Sequence, residues 1–208
     1  MFTRGLSKQT QKNLESLGNI PSVSKYYLAG GTALSLYLGH RFSYDLDFFS
    51  VTPEKSIVIV SQLKNKGHLE IFQNDEGSFN GQLNGVKLSF FIYPYKLIFP
   101  HSLFNKIKIA HPLDIACMKI DAISSRGTKR DFIDLYTICR TQKSLGELLV
   151  IFKKKYGGVQ YNMLHVLKSL MYFEDAEKDE MPKMIEKINW NNIKAFFLSE
   201  TKKLAYEL

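Results

Sequence analysis

The sequence predicts an α/β N-terminal half followed by an all-helical C-terminal half, with the boundary between about residues 100 and 112. Two patterns carry that expectation. Up to Tyr93, short apolar runs alternate with glycine-bearing turns, and Asn84-Gly85 is a two-residue hairpin signal. From Pro112 onward, helix-start signals open successive segments: Pro112 itself, Thr128, and Ser144 with Glu147 three residues later as a capping box.

In chain order, Ser7 to Leu17 reads as a short polar helix with Ser7 as cap and Gly18 as stop. Tyr26 to Leu28 is a strand that halts at Gly30-Gly31. A helix is expected from Thr32 to Leu38, with Thr32 capping its first turn and Gly39 ending it. After the polar link His40 to Ser43, Tyr44 to Phe49 forms a second strand. Thr52-Pro53-Glu54 opens a helix, with Pro53 at its first position, that runs to about Lys66. Strands are expected at His68–Asn74, Ser78–Asn84, Val86–Tyr93 and Lys106–Ala110. Val86 to Tyr93 is apolar at nearly every position, as a central strand covered on both faces would be. The helical half runs from Pro112 to Ser125, from Lys129 to about Arg140 behind Thr128, and from Ser144 to near Gly157-Gly158. It continues through 159–173 and 189–205, with an acid-rich link at Glu174–Glu180 between them.

Composition narrows the class. The 208-residue chain is long enough for a substantial core, and 45% hydrophobic with 23% charged residues is ordinary for a globular protein. A net charge of +8 attracts polyanions: nucleotides, nucleic acid or an acidic protein. The N-terminal stretch lacks a long apolar core. The most apolar run, Leu88 to Phe99, is broken by Pro94 and Lys96, so no membrane span is expected. Cys117 and Cys139 sit among apolar helical residues, as buried thiols of a reducing cytoplasm do, and the five histidines are too scattered for a zinc signature.

The chemistry concentrates in Tyr27 to Ser50. Residues two apart on a strand share a face, so Asp45 and Asp47 project together while Leu46 and Phe48 point the other way. Two carboxylates side by side repel unless a cation lies between them. A diglycine ahead of a helix N-terminus offers bare N–H groups to an anion. An anion cradle beside a divalent-cation clamp is what a metal-bound nucleoside triphosphate requires. An Asp-x-Asp pair alone is weak evidence; the pair preceded by Gly-Gly-Thr, each in its structural setting, is much stronger. Lys119 lies on the apolar segment Ile115–Ile120, where a lone cation is costly unless it snorkels to solvent or meets an anion. Asp131 reads equally as an acid at a helix N-terminus, and Asp134 as a partner of Arg130.

The string GGTALSLYLGHRFSYDLDFF, followed by Lys119 and then Arg130-Asp131-Phe132-Ile133-Asp134, resembles the AbiEii/AbiGii-type toxin nucleotidyltransferases, the MenT-like enzymes among them. The resemblance covers roughly residues 25 to 140. It implies a nucleotidyltransferase fold over residues 1–110, a mixed sheet flanked by helices, and a helical region over 111–208 that completes the nucleotide cleft. It further implies a cytoplasmic, Mg²⁺-dependent enzyme that moves a nucleotide from an NTP to an acceptor, RNA at a tRNA 3′ end, with an antitoxin as a possible partner. In that scheme Asp45 and Asp47 hold metal and are catalytic, and Gly30, Gly31, Thr32, Ser43 and Lys119 bind nucleotide. Lys119 and Asp131 complete the catalytic set, with Asp131 orienting Lys119 or the nucleotide.

One departure stands out. Related enzymes place a third carboxylate on a later strand, yet no Asp or Glu occurs between Glu76 and Asp114, and Ser89 occupies the expected position. Either Asp131 covers the role, or the metal is held weakly, or the fold binds nucleotide or RNA without transferring anything. Two other features are open to a bland reading: Lys153-Lys154-Lys155 as a solvated basic helix end rather than an RNA contact, and Tyr93, Tyr95 and Phe99 as packing rather than stacking groups.

Overall fold

In the computed structural model, residues 1–205 are described, and the chain divides into two compact units, Met1–His111 and Pro112–Leu208. The first unit holds one mixed seven-stranded sheet in the order β3-β4-β5-β2-β1-β7-β6. Its strands are β1 (Tyr27–Ala29), β2 (Leu46–Ser50), β3 (Leu69–Asp75), β4 (Ser78–Leu83), β5 (Val86–Ile92), β6 (Ser102–Phe104) and β7 (Ile107–Ile109). β2 runs antiparallel to β1 and parallel to β5, and β7 runs parallel to β1. Helices α1 (Lys8–Leu17), α2 (Gly30–Leu38) and α3 (Ser56–Lys64) flank the sheet.

Alternation on β2 sets the layers. Leu46 and Phe48 are fully buried, whereas Asp47 and Phe49 on the other face are half-buried. Phe48 stacks on Phe90 of β5 at 4.9 Å, and Tyr26 and Phe79 meet the same ring at 5.0 and 6.2 Å. Each such buried ring contributes about 1.5–3 kcal/mol, so this cluster fixes the register of β2 and with it the face Asp47 occupies.

The second unit is helical: α4 (Pro112–Ser125), α5 (Lys129–Thr141), α6 (Leu145–Lys155), α7 (Met163–Leu170), α8 (Glu174–Lys178) and α9 (Trp190–Ala205). Helix α4 packs on α5, α6 and α7. Phe132 sits at the centre, its ring 5.1 Å from Phe173 and 5.4 Å from Phe197. No helix among the described residues is long and apolar enough to cross a membrane.

Several boundaries depart from expectation. Helix α2 starts at Gly30, not Thr32, because Gly30 at φ 68° lets the chain turn directly out of β1. Helix α3 starts at Ser56 rather than Pro53: Glu54 is held outside the helix by its N–H to the Tyr26 hydroxyl (3.0 Å) and an ion pair with Lys25 at 2.5 Å. Strand β6 has no clear sequence signal, being three residues of which Leu103 is well exposed. The segment expected to be helical over 159–173 is so only from Met163 to Leu170, and the acid-rich link contains α8, anchored by the buried Ala176.

Candidate active site

The turn between β1 and α2 is built to bring an acid to a helix end. Ala29 pairs with Asp47 across the antiparallel strands. A Cβ placed on Gly30 would lie 3.3 Å from Asp47 Oδ2, so the carboxylate faces the turn and glycine keeps the space before it open. Ala29 occupies the N-cap and supplies no side-chain acceptor, leaving the first-turn N–H groups of α2 without a side-chain cap. The positive end of the helix dipole thus opens beside a half-buried carboxylate.

Three hydrogen bonds pin the link that carries Asp45. The Ser35 hydroxyl donates to the Arg41 carbonyl at 2.8 Å, the Ser43 N–H to the Gly5 carbonyl at 3.0 Å, and the Thr32 hydroxyl to the Asp45 carbonyl at 2.5 Å. Ser43 Oγ lies 2.9 Å from Thr32 Oγ1, and both side chains are buried. Thr32 and Ser43 therefore tie the diglycine helix to the acid-bearing strand, and their hydroxyls are committed to that local network.

On the other side of Asp47, the parallel register places Ser89 as its partner, and Asn80 of β4 is paired with Ser89 in turn. Residues paired across a sheet share a face, so Asp47, Ser89 and Asn80 form a row with one acid and two neutral groups. The Ser89 hydroxyl meets the Asn80 side-chain oxygen at 3.5 Å. Among the described residues no cluster of three or more His, Cys, Asp or Glu side chains is placed to hold a metal. A cation on Asp45 and Asp47 would complete its shell with phosphate or water oxygens, as Mg²⁺ readily does.

Within the helical unit, Lys119 of α4 is 7% exposed and held by two acids of α5: its Nζ lies 2.8 Å from Asp131 Oδ1 and 2.7 Å from Asp134 Oδ2. Thr128 donates to Asp131 Oδ2 at 2.7 Å, and Arg126 Nε reaches the same oxygen at 3.3 Å. Burial pushes the Asp131 carboxyl up, but the charges of Lys119 and Arg126 and the hydrogen bonds from Lys119 and Thr128 outweigh it and leave it below the usual carboxylate range. A carboxylate held low is a poor proton acceptor, so its place in this network is to orient the ammonium. Thr128 sits at the N-cap of α5 but spends its hydroxyl on Asp131, and Asp179 takes the Lys129 N–H at 2.8 Å instead.

Sequence reasoning misplaced one residue and overlooked another. Asp134, read as a partner of Arg130, pairs instead with Lys119, and its spacing of three from Asp131 on one helix face was the available signal. Arg41 is only 3% exposed, and its guanidinium lies against Gly31: a Cβ there would fall 2.4 Å from Nη2. Its position between the diglycine and the acid pair was the only clue. The basic run also divides: Lys153 and Lys154 are exposed, but Lys155 is buried, 2.7 Å from Asp114 Oδ1.

Known proteins share the sequence family and the fold of this chain. A relative from Aquifex aeolicus (strain VF5), itself uncharacterised, is 38% identical over 205 residues, covering 96% of this chain and 97% of the relative. MenT4, a nucleotidyltransferase toxin of Mycobacterium tuberculosis H37Rv, shares the fold with a TM-score of 0.63 at 14% identity, covering 94% of this chain and 82% of MenT4. JHP933 from Helicobacter pylori gives 0.54 at 18% identity, over 97% and 96% of the two chains. Residues 14–90 and 87–207 match the family model described as nucleotidyl transferase AbiEii toxin of type IV toxin–antitoxin systems. With both the acid-bearing turn and the helical unit inside that match, the chain belongs to the AbiEii family of nucleotidyltransferase toxins.

Proposed function

We propose that the chain moves a nucleotide from a Mg²⁺-bound NTP to an acceptor hydroxyl, with the 3′ end of a tRNA as acceptor, as the toxin of a toxin–antitoxin or phage-defence system. The observation that carries this reading is the Asp47 carboxylate facing an uncapped helix N-terminus across Gly30. In the transfer, the acceptor oxygen bonds to the α-phosphorus, the bond from that phosphorus to the pyrophosphate oxygen breaks, and the hydroxyl proton passes to solvent. Asp45 and Asp47 are hard oxygen donors suited to Mg²⁺, and a bound divalent ion would offset the charge that builds on the phosphates. The first turn of α2 would receive phosphate oxygens on backbone N–H groups. Lys119, Asp131 and the hydroxyls of Thr32 and Ser43 serve as supporting residues. The net charge of +8 and the resemblance to MenT-like enzymes support RNA as acceptor, and the family supports an antitoxin partner.

The test is incubation of the purified chain with each radiolabelled NTP, Mg²⁺ and total RNA, followed by separation of RNA from protein. Label enters the RNA with the native chain and disappears with Asp45→Ala or Asp47→Ala while the circular dichroism spectrum is kept. Full activity in either variant refutes the assignment. The neutral row of Ser89 and Asn80 favours a second reading, a nucleotide- or RNA-binding protein without transfer. Mg²⁺-dependent NTP binding with no label in any RNA or protein acceptor would establish it.

A further inference from the structure

In the helical unit, Lys119, Lys143, Lys155, Lys178, Lys194 and Lys203 each meet a carboxylate within 3.0 Å. Lys168, in the last turn of α7, makes no ion pair and no side-chain hydrogen bond among the described residues. It lines a cavity of about 330 Å³ between the end of α4, α7 and the start of α8. Arg126 lines the same cavity from the turn after α4, where Gly127 at φ 54° ends the helix. Its Nε is spent on Asp131 at 3.3 Å, but its side chain is 66% exposed and its two Nη groups have no hydrogen bond among the described residues. The acid of the cavity, Asp175, is engaged by Lys178 at 3.0 Å.

The neutral groups around these cations are committed elsewhere. Ser125 donates to the Asp121 carbonyl at 3.2 Å and Ser169 to the His165 carbonyl at 2.9 Å. His165 Nε2 donates to the Ser124 carbonyl at 3.1 Å and ties α7 to the end of α4. What the cavity offers a ligand is therefore positive charge, and cations lining one concavity repel each other until an anion enters. Tyr172 adds a ring. It is 52% exposed, its hydroxyl donates to Glu174 at 2.9 Å, and the ring has no aromatic partner among the described residues. An exposed ring beside unshared cations is the combination that grips a nucleotide strand, with the cations on phosphate and the ring on a base. A bare phosphate or a carboxylate would leave the ring unused.

We infer that this cavity binds RNA, with Lys168 and the outer nitrogens of Arg126 on a backbone phosphate and Tyr172 under an adjoining base. This rests on the proposed RNA acceptor and names where the helical unit holds it.

Substitutions at Lys168 and Tyr172 supply the test, since both are exposed and neither belongs to the nucleotide site. Binding of fluorescein-labelled total tRNA is followed by anisotropy between about 50 and 200 mM KCl, with Mg²⁺-ATP binding measured beside it. Lys168→Glu is expected to weaken tRNA about tenfold or more, and Lys168→Gln to lower the slope of log Kd against log salt by about 0.7–0.9, the share of one phosphate contact. Lys168→Arg stays as the native chain. Tyr172→Ala weakens tRNA about tenfold, whereas Tyr172→Phe, which keeps the ring, does not. Mg²⁺-ATP binding is unchanged throughout. Native tRNA affinity and salt slope in Lys168→Glu overturn the inference, even where the same variant loses affinity for AMP or inorganic phosphate. Equal losses in Tyr172→Phe and Tyr172→Ala overturn it too, as does displacement of tRNA by poly-glutamate at matched charge, the mark of an acidic-protein surface. Lys168-dependent tRNA binding in a chain that transfers no nucleotide removes the transfer reading and keeps this one. Transfer into RNA that is indifferent to Lys168→Glu does the reverse.

Discussion

Replacing Lys119 by methionine removes a cation from between two acids whose side chains are 2% and 0% exposed. The methionine fills much of the volume, so the loss is electrostatic: Asp134 loses its ammonium, and Asp131 keeps the Thr128 hydroxyl and the more distant Arg126. Breaking a buried pair from one side costs about 3–5 kcal/mol, because a charge is left without its counter-ion. The pH dependence gives the sharper test. In the native chain Asp131 is held below its ordinary range, so its contribution is present at neutral pH and is lost as pH falls through that lowered value. In Lys119→Met, the two crowded carboxylates favour taking up a proton, which raises the folded-state value above the unfolded one. The variant therefore gains stability on acidification, by up to about 1.4 kcal/mol per pH unit for one proton. Denaturant unfolding followed by helical circular dichroism at pH 7.5 and pH 5.5 reads both effects, and the gap to the native chain should narrow at the lower pH. A loss under about 1 kcal/mol, or an equal gap at both pH values, would refute the buried-pair account.

The other predictions concern the turn and the thiols. Thr32→Val removes the hydroxyl that donates to the Asp45 carbonyl, and thermal melts should show a loss of about 1–2 kcal/mol together with reduced nucleotide transfer. Gly30→Ala and Gly85→Ala both place a side chain at positive φ, 68° and 76°, costing about 1–2 kcal/mol each. Only at Gly30 does the new Cβ approach Asp47, at 3.3 Å, whereas nothing lies within 4 Å at Gly85. Matched melting shifts with transfer lost only in Gly30→Ala is the expected outcome. Burial pushes the thiols of Cys117 and Cys139 up to about 12, so iodoacetamide at pH 8 should label the native chain at least about a hundredfold more slowly than the urea-unfolded one.

The parts of the fold legible from sequence were those in which local and tertiary demands agree. The alternation Leu46-Asp47-Phe48 fixes which face of β2 is buried, and the structure seats Phe48 in the core as that pattern requires, although the strand expected from Tyr44 begins only at Leu46 and leaves Asp45 in the preceding link. Ser7 caps α1 through the Thr10 N–H, and Ser144 with Glu147 forms the full capping box of α6, because both signals act within one helical turn. Where a distant residue intervenes, the local signal misleads. Pro53 is a good helix starter, but Tyr26 and Lys25 hold Glu54 outside α3. Thr128 is a good cap, but Asp131 takes its hydroxyl and Asp179 does the capping from fifty residues away. The site followed the same rule. Gly30, Asp45 and Asp47 stand out as candidates because their spacing is itself the motif, and the structure sets the Asp47 carboxylate beside Gly30. Arg41 does not, since nothing local distinguishes an arginine destined for burial from one in a solvated link.

The charge balance of the turn suggests how the missing third acid is tolerated. A strand site with three carboxylates carries enough negative charge to hold divalent ions before substrate arrives, and it repels a polyphosphate until they are bound. Here the row beyond Asp47 continues through Ser89 and Asn80, both neutral, and a guanidinium lies behind the neighbouring glycine. With two acids in place of three, the turn would hold a free cation less tightly and repel phosphate less. On the proposed reading, such a turn would receive metal and nucleotide together, with the triphosphate supplying the oxygens that the sheet lacks. On the proposed transfer reaction, the absence of a third acid would shift the turn from gripping a free ion toward gripping an ion already bound to polyphosphate.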